Sequence, residues 1–309
     1  MTTLWWVRGA PAHLAFEHAA QGFTSVGPDL AERRQATALL AGGEPYDGDV
    51  LDQLPDARIV ARIGIGYDAV DLDAATARGV MVTNTPEGPT TSTAEHTIAL
   101  MMAVTHELNA SAERLRTATG NYVDQQRSME LKGCTLGLLG YGRIGQAVAE
   151  MARAIGMEIL ISDPAYADSV DLEQLFAESD VLSIHAPATP STVGLINADV
   201  FATMKQGSVL INCARGSIVD TDALVAALES GHLMGAGLDV TEPEPLDPDH
   251  RLLHMHNVIV TPHIASNTVA GRQRMESMAF DQVSMALSGT TPTQLLNPAV
   301  LEHPTWSPS

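Results

Sequence analysis

The chain has 309 residues, 45% hydrophobic and 17% charged, which is more than one ordinary core needs and too apolar for disorder, so two globular domains are expected. Its net charge of −20 excludes a nucleic-acid surface, which needs clustered Lys and Arg, and argues against an anionic membrane as partner. With only Cys134 and Cys213, no basic and apolar leader, and no run of ~18 apolar residues, a cytoplasmic protein is expected.

Short apolar runs alternate with helix-like stretches, the pattern of a parallel α/β fold. Residues 4–7 predict a strand and 11–21 a helix, followed by strands at 36–40 and 58–63, a helix at 71–78 and a strand at 79–83. Thr85-Pro-Glu-Gly-Pro89 then interrupts the series as a domain crossing would. Residues 92–119 predict one long helix with few breakers. Its 98–104 stretch is apolar on nearly every face, which fits either burial on two sides, between domains or against a second subunit, or a plain core helix. A second series of strands starts at 134–139 and continues at 157–161, 181–184, 208–211, 235–238 and 258–260, with helices in the gaps, notably 221–230. Residues 288–293 and 304–309 read as coil. The domains are expected over 1–90 plus 285–309 and over 91–284.

Gly140-Tyr-Gly142-Arg143-Ile144-Gly145 lies between an apolar strand and the predicted helix at 146–154. A GxGxxG string alone is weak evidence, but in this setting each glycine has a task. The first permits a tight turn, the second lets backbone approach a pyrophosphate, and the third allows close helix–strand packing. The helix N-terminus then offers N–H groups and the positive end of its dipole to the phosphates. The next strand ends at Asp163, where a carboxylate accepts from ribose hydroxyls and repels a 2′-phosphate, so NAD is expected as the cofactor. The plainer reading of Asp163 is a residue that starts a turn.

Three later segments place reactive side chains at strand ends: Asn212-Cys213-Ala214-Arg215, Asp239-Val-Thr-Glu-Pro-Glu244, and Thr261-Pro-His263. Ligands of open α/β sheets bind beyond the carboxyl ends of the strands, so these segments converge on the cofactor crevice. Singly, each also fits a solvated surface residue or an ordinary loop.

Taken together with the glycine turn, they resemble the D-isomer-specific 2-hydroxyacid dehydrogenase family. The likeness also rests on Arg62-Ile-Gly-Ile65-Gly66-Tyr-Asp-Ala-Val-Asp-Leu72, Thr93-Ala-Glu-His96, His185-Ala186-Pro187, Cys213 to Asp220, and Thr261 to Ile264, in fixed order over most of the chain. The resemblance implies two doubly wound parallel-sheet domains: a flavodoxin-like substrate domain, and a Rossmann NAD-binding domain. It further implies an active-site cleft between them and a homodimer through the NAD-binding domain. The substrate implied is a small 2-keto or 2-hydroxy acid, with no nucleic-acid or membrane partner and no metal.

Residue by residue, the resemblance makes Arg215 the substrate-carboxylate arginine, Glu244 the carboxylate partner, and His263 the acid/base. An imidazole suits a proton transfer that must run both ways, and a nearby carboxylate favours its charged form. Arginine can hold a carboxylate bidentately. Backbone at Ile65 and Gly66 would grip the substrate carboxylate, and Arg62 resembles a position near the phosphate of phosphoglycerate in one branch. Thr93, His185, Ala186, Pro187, Cys213, Ala214 and Asp239 would line the cofactor with Gly140, Gly142, Arg143, Ile144, Gly145 and Asp163. His185 reads as a positioning or structural residue, not a second base.

The segments 27–35 and 165–170 are shorter than usual for the family. Formate-specific extensions are absent, and residues 63–67 hold no lysine of the phosphite type. The His250-Arg-Leu-Leu-His254-Met-His256 cluster lacks a usual ligand pattern and reads as a loop. Trp306 fits either a pocket or surface packing. The rival reading from another class is an NAD(H)-sensing binding protein of the co-repressor type on the same scaffold.

Overall fold

The structure, a computed structural model, describes residues 2–117 and 126–306. The chain divides into two compact units, Met1–Pro89 with Asn267–Ser309, and Thr90–Ser266.

In the first unit, β1 (Thr2–Trp6), α1 (Ala15–Ala20), β2 (Phe23–Val26), α2 (Leu30–Arg33), β3 (Ala38–Ala41), α3 (Gly48–Asp52), β4 (Ile59–Arg62), α4 (Leu72–Ala77) and β5 (Met81–Thr83) follow in order. The strands pair in parallel as β2-β1-β3-β4-β5, the flavodoxin-like order. Strand parity sorts the side chains. Leu4, Trp6, Leu40, Ile59 and Ala61 enter one core, while Trp5, Leu39, Ala41, Val60 and Val82 enter the other. Both faces are covered, which is why these strands read as continuous apolar runs. The half-buried β2 is specified by its pairing with β1 and has no such signature of its own. The short 27–35 segment holds only the single turn α2. Part of the acidic composition has a local task, since Asp29, Asp47, Asp71, Asp171 and Asp220 each cap a helix N-terminus.

In the second unit come α5 (Thr90–Thr105), α6 (Leu108–Thr117), β6 (Thr135–Leu139), α7 (Arg143–Ile155), β7 (Glu158–Ser162), α8 (Leu172–Glu178), β8 (Val181–Ile184), α9 (Ala198–Thr203), β9 (Ser208–Asn212), α10 (Thr221–Glu229), β10 (Leu233–Leu238) and β11 (Val258–Val260). Their all-parallel sheet runs β11-β10-β9-β8-β6-β7. Strand order reverses at β6, so the glycine turn stands at the topological switch point.

The single long helix expected over 92–119 is two helices. Glu107 takes a left-handed φ of 50°, and its carboxylate accepts from Arg114 at 2.9 Å and from the Arg127 N–H at 3.0 Å. Carbonyls at the end of α5 are met by the returning chain: Met129 N–H donates to Thr105 and the Gln126 amide to His106. These partners lie some 20 residues away, so no local breaker announces the stop. Residues 118–119 of the expected helix lie outside the described residues. In α5, Leu100, Met101 and Val104 are buried, and the helix packs against α7, β9 and β10.

The final helix, α11 (Val269–Leu287), belongs to the first unit. The chain therefore returns at Asn267, not near residue 285. Ala279, Phe280, Val283 and Ala286 on α11 fill the same core as Leu4, Trp6 and Leu40, a choice that helical periodicity alone does not reveal. Trp306 packs at the edge of that core and donates to the Gly79 carbonyl at 2.7 Å.

Candidate active site

The glycine turn leaves β6 and enters α7. Gly140 has φ +97°, and a Cβ there would stand 2.7 Å from the Ala186 nitrogen and the His185 carbonyl carbon. At Gly145 a Cβ would meet the Gly140 carbonyl at 2.5 Å. Nothing lies within 4 Å of a Cβ placed on Gly142, the N-cap of α7, and no side chain caps the helix there. The turn is thus closed where protein packs on protein and open where a pyrophosphate would lie. Arg143 and Ile144 form the first turn of α7, one residue or two beyond this opening.

Asp163, just past β7, accepts from Tyr141 N–H at 2.6 Å and from Ala165 N–H at 2.8 Å. Each oxygen takes one of these bonds, and an ionised carboxylate offers about four acceptor positions, so two remain for ribose hydroxyls. These residues fit a dinucleotide. His185 follows β8, its Nε2 2.9 Å from Ser183 Oγ, and desolvation lowers its pKa to about 4. It is therefore neutral near pH 7.

Beyond β9 and β10 the loops are tied together. A side chain on Gly216 would overlap the Thr241 carbonyl, and Thr221 Oγ1 donates to the Glu242 carbonyl at 2.7 Å. This draws the Arg215 segment against the loop that carries Glu244. Arg215 is half-buried; its Nη1 donates to Ala214 O at 2.8 Å, and its own carbonyl accepts from the Asn212 amide at 2.9 Å. Cys213 is mostly withdrawn from solvent, and burial pushes its thiol up to about 12, so it stays protonated. Thr93 is buried in the first turns of α5.

His263 Nδ1 lies 2.7 Å from Glu244 Oε1, at the rim of a recess lined also by Thr241, Leu246, Leu253 and Val260. The carboxylate accepts, so Nδ1 carries the proton and Nε2 is left for another partner. His263 has φ +51°, a left-handed conformation uncommon for a side chain of this size. Its backbone N–H donates to the carbonyls of Asp239 and Thr261, both at 2.9 Å.

The loop is held by Asp239, only 1% exposed. Its carboxylate accepts from Thr261 Oγ1 at 2.6 Å, Ile264 N–H at 2.9 Å and Ala265 N–H at 2.8 Å. Burial alone would raise its pKa, but hydrogen bonds from His96, Thr261, Ile264 and Ala265 outweigh that and lower it. His96, from α5, places Nε2 3.0 Å from Thr261 Oγ1 and 3.5 Å from Asp239 Oδ1. Neither His96 nor Thr261 stands out as a site residue in the sequence; the only signal is that both fall inside recognised motifs.

In the first unit, Arg62 braces its own loop. Nε donates to Gly66 O at 2.8 Å and Nη1 to Ala41 O at 3.2 Å. Gly64 exchanges bonds with Thr85, and the Asn84 amide donates to Ile65 O at 2.8 Å. The segment 62–66 is a fixed loop at the carboxyl end of β4, with Ile65 exposed.

A model of the NAD binding domain of D-isomer specific 2-hydroxyacid dehydrogenases matches residues 98–265. The chain is 40% identical over 289 residues to a glyoxylate reductase of Aeropyrum pernix, covering 88% of this chain and 86% of that one. It is 39% identical over 277 residues to a D-3-phosphoglycerate dehydrogenase of Mycobacterium tuberculosis; that match covers 85% of this chain and 52% of the relative, about half its length. A crystal structure of a Thermus thermophilus protein superposes with a TM-score of 0.88 at 37% identity, over 96% of this chain and 100% of that one. With a dinucleotide turn at its switch point and these relatives, the chain belongs to the D-isomer specific 2-hydroxyacid dehydrogenase family of oxidoreductases.

Proposed function

We propose that this protein reduces a small, unphosphorylated 2-keto acid to its D-2-hydroxy acid, with glyoxylate and hydroxypyruvate as the leading candidates. The observation that carries the reading is the 2.7 Å pair of His263 and Glu244 at the strand ends of the sheet that bears the glycine turn. The bound cofactor supplies the hydride. His263 Nε2–H gives a proton to the keto oxygen, and Glu244 on Nδ1 stabilises the charge the ring carries. Arg215 holds the substrate carboxylate and polarises the neighbouring carbonyl. In the first unit, the backbone at Ile65 and Gly66 is the loop that would bind a substrate carboxylate. Arg62 serves as the brace of that loop; with two guanidinium nitrogens on backbone carbonyls, it is poorly placed to take a phosphate.

NAD is the preferred cofactor in this reading. Asp163 and the following segment 164–170, which holds Asp168 and no Lys or Arg, would repel a 2′-phosphate. Arg143, Ile144, His185, Ala186, Pro187, Cys213, Ala214 and Asp239 line the cofactor, with Thr93 behind them. The protein is a cytosolic homodimer through the NAD-binding domain; exposed Leu108 and Leu115 on α6 support the interface, and two free cysteines suit a reducing compartment. Among the described residues no helix is long and apolar enough to cross a membrane.

The deciding assay follows NADH oxidation with glyoxylate, hydroxypyruvate, pyruvate, phenylpyruvate, oxaloacetate and 3-phosphohydroxypyruvate. One of the first two as best substrate supports the proposal. NADH binding without turnover on any keto acid would replace it with a dinucleotide sensor. His263→Ala and Arg215→Ala variants that bind NADH yet keep wild-type turnover would refute the assigned roles.

A further inference from the structure

We propose that His96 is a positioning residue for hydride transfer: through Thr261 it holds the buried Asp239 carboxylate in the arrangement that keeps His263 left-handed and against Glu244. The inference rests on the function proposed above and deepens it.

Proton bookkeeping gives the direction of each bond. Asp239 is ionised and can only accept, so the single hydroxyl proton of Thr261 goes to Oδ1 at 2.6 Å. Thr261 Oγ1 must then accept at its other contact, and His96 Nε2, 3.0 Å away, must be the donor. Every group turned toward Asp239 thus donates: the Thr261 hydroxyl, two backbone N–H groups and, at 3.5 Å, His96. A buried carboxylate needs such a full set, because each missing donor leaves a charge in a poor solvent. The ionisable side chains near Asp239 include His96 from α5, Cys213 beyond β9 and, along the same recess, Glu244 and His263; burial keeps the Cys213 thiol protonated. His96 is thus a donor that reaches this carboxylate from outside its own loop.

The carboxylate in turn dictates the backbone on either side of His263. Oδ1 and Oδ2 take the N–H groups of Ile264 and Ala265, while the Asp239 and Thr261 carbonyls share the His263 N–H. A left-handed backbone at a histidine is strained and persists only where its surroundings over-determine it. His96 belongs to α5, not to the loop, and so ties the acid/base residue to a rigid helix. Its effect passes through Thr261 and Asp239, not through contact with substrate.

The test compares wild type with His96→Ala, His96→Gln and Thr261→Val in the full chain. Glutamine can present an amide N–H near the position of the imidazole Nε2. Two readouts are taken: steady-state kinetics with NADH and glyoxylate across pH, and the imidazole ¹⁵N resonances of His263 without cofactor. For His96→Ala we expect kcat to fall by roughly 10-fold or more, as misplacement of a reacting group dictates. KM for glyoxylate and NADH affinity should hold within about twofold, and the acid limb should move to higher pH as Asp239 loses a donor. His96→Gln should recover most of kcat. The signature of an Nδ1–H bonded to Glu244 should weaken in His96→Ala and Thr261→Val and persist in His96→Gln. Wild-type kcat and pH profile in His96→Ala, equal impairment in His96→Gln, or unchanged His263 resonances in His96→Ala and Thr261→Val would each overturn the proposal. A wild-type enzyme that turned over no keto acid would refute the proposed function instead, and the resonances would still decide the role of His96.

Discussion

Replacing Glu244 by Gln tests how much charge, as distinct from a hydrogen bond, contributes at His263. The amide oxygen still accepts from Nδ1–H, but the negative charge is gone. A hydrogen bond to a charged partner contributes about 1.5–3 kcal/mol. Here the side chains are 50% and 42% exposed, so solvent screening reduces the charge component to about 1 kcal/mol. At about 1.4 kcal/mol per decade, kcat for keto-acid reduction should fall about fivefold in Glu244→Gln. Glu244→Ala loses charge and acceptor together, about 2 kcal/mol, and should fall about 30-fold. Both are read by NADH oxidation under saturating substrate, with NADH binding measured separately to show an intact cofactor site. Equal kcat in wild type, Glu244→Gln and Glu244→Ala would refute the pairing as a catalytic device. A Glu244→Gln defect as deep as that of Glu244→Ala would show that charge, not geometry, dominates.

Asp163→Asn keeps one acceptor oxygen but removes the charge that repels a 2′-phosphate, so the ratio of kcat/KM for NADPH over NADH should rise by about fivefold, one unit-charge contact in water being worth about 1 kcal/mol; an unchanged ratio would remove Asp163 from cofactor selection. Gly142→Ala meets open space and should leave the melting temperature unaltered while NADH binding weakens. Gly145→Ala drives a Cβ to 2.5 Å from the Gly140 carbonyl and should lower stability by about 1–3 kcal/mol, measured by urea unfolding. The reverse pattern would mean that the turn does not face a phosphate. His185, ordinarily titrating at 6.5, is lowered to about 4 by burial, so the unfolded chain binds more protons between these values. Its contribution is full above pH 6.5 and is lost as pH falls toward 4; unfolding free energies of His185→Gln should show a shallower slope in that window than wild type.

Much of the second unit could be read from residues alone, because its information is local. The glycine turn, the β8 and β11 strands and the start of α10 are each specified by neighbours in sequence: apolar runs, positive-φ glycines and an Asp cap. Order along the chain also pointed to Arg215, Glu244 and His263, since each follows a strand of one parallel sheet and such strands end on the same side. What needed tertiary structure was every feature whose cause lies far away in sequence. The break between α5 and α6 depends on Arg114 and on residues 126–129, and β2 depends on β1. Whether α11 joins the first or the second unit depends on which core accepts Phe280 and Val283, and amphipathicity does not name a partner. What the Arg62 guanidinium contacts also needed the fold: it reaches the carbonyls of Gly66 and Ala41. His96 stands 165 residues from Thr261, and only the packing of α5 beneath β11 brings that imidazole within 3.0 Å of the hydroxyl. Side chains at successive strand ends are legible because strand order is local, whereas contacts such as that of His96 with Thr261 are set by three-dimensional packing.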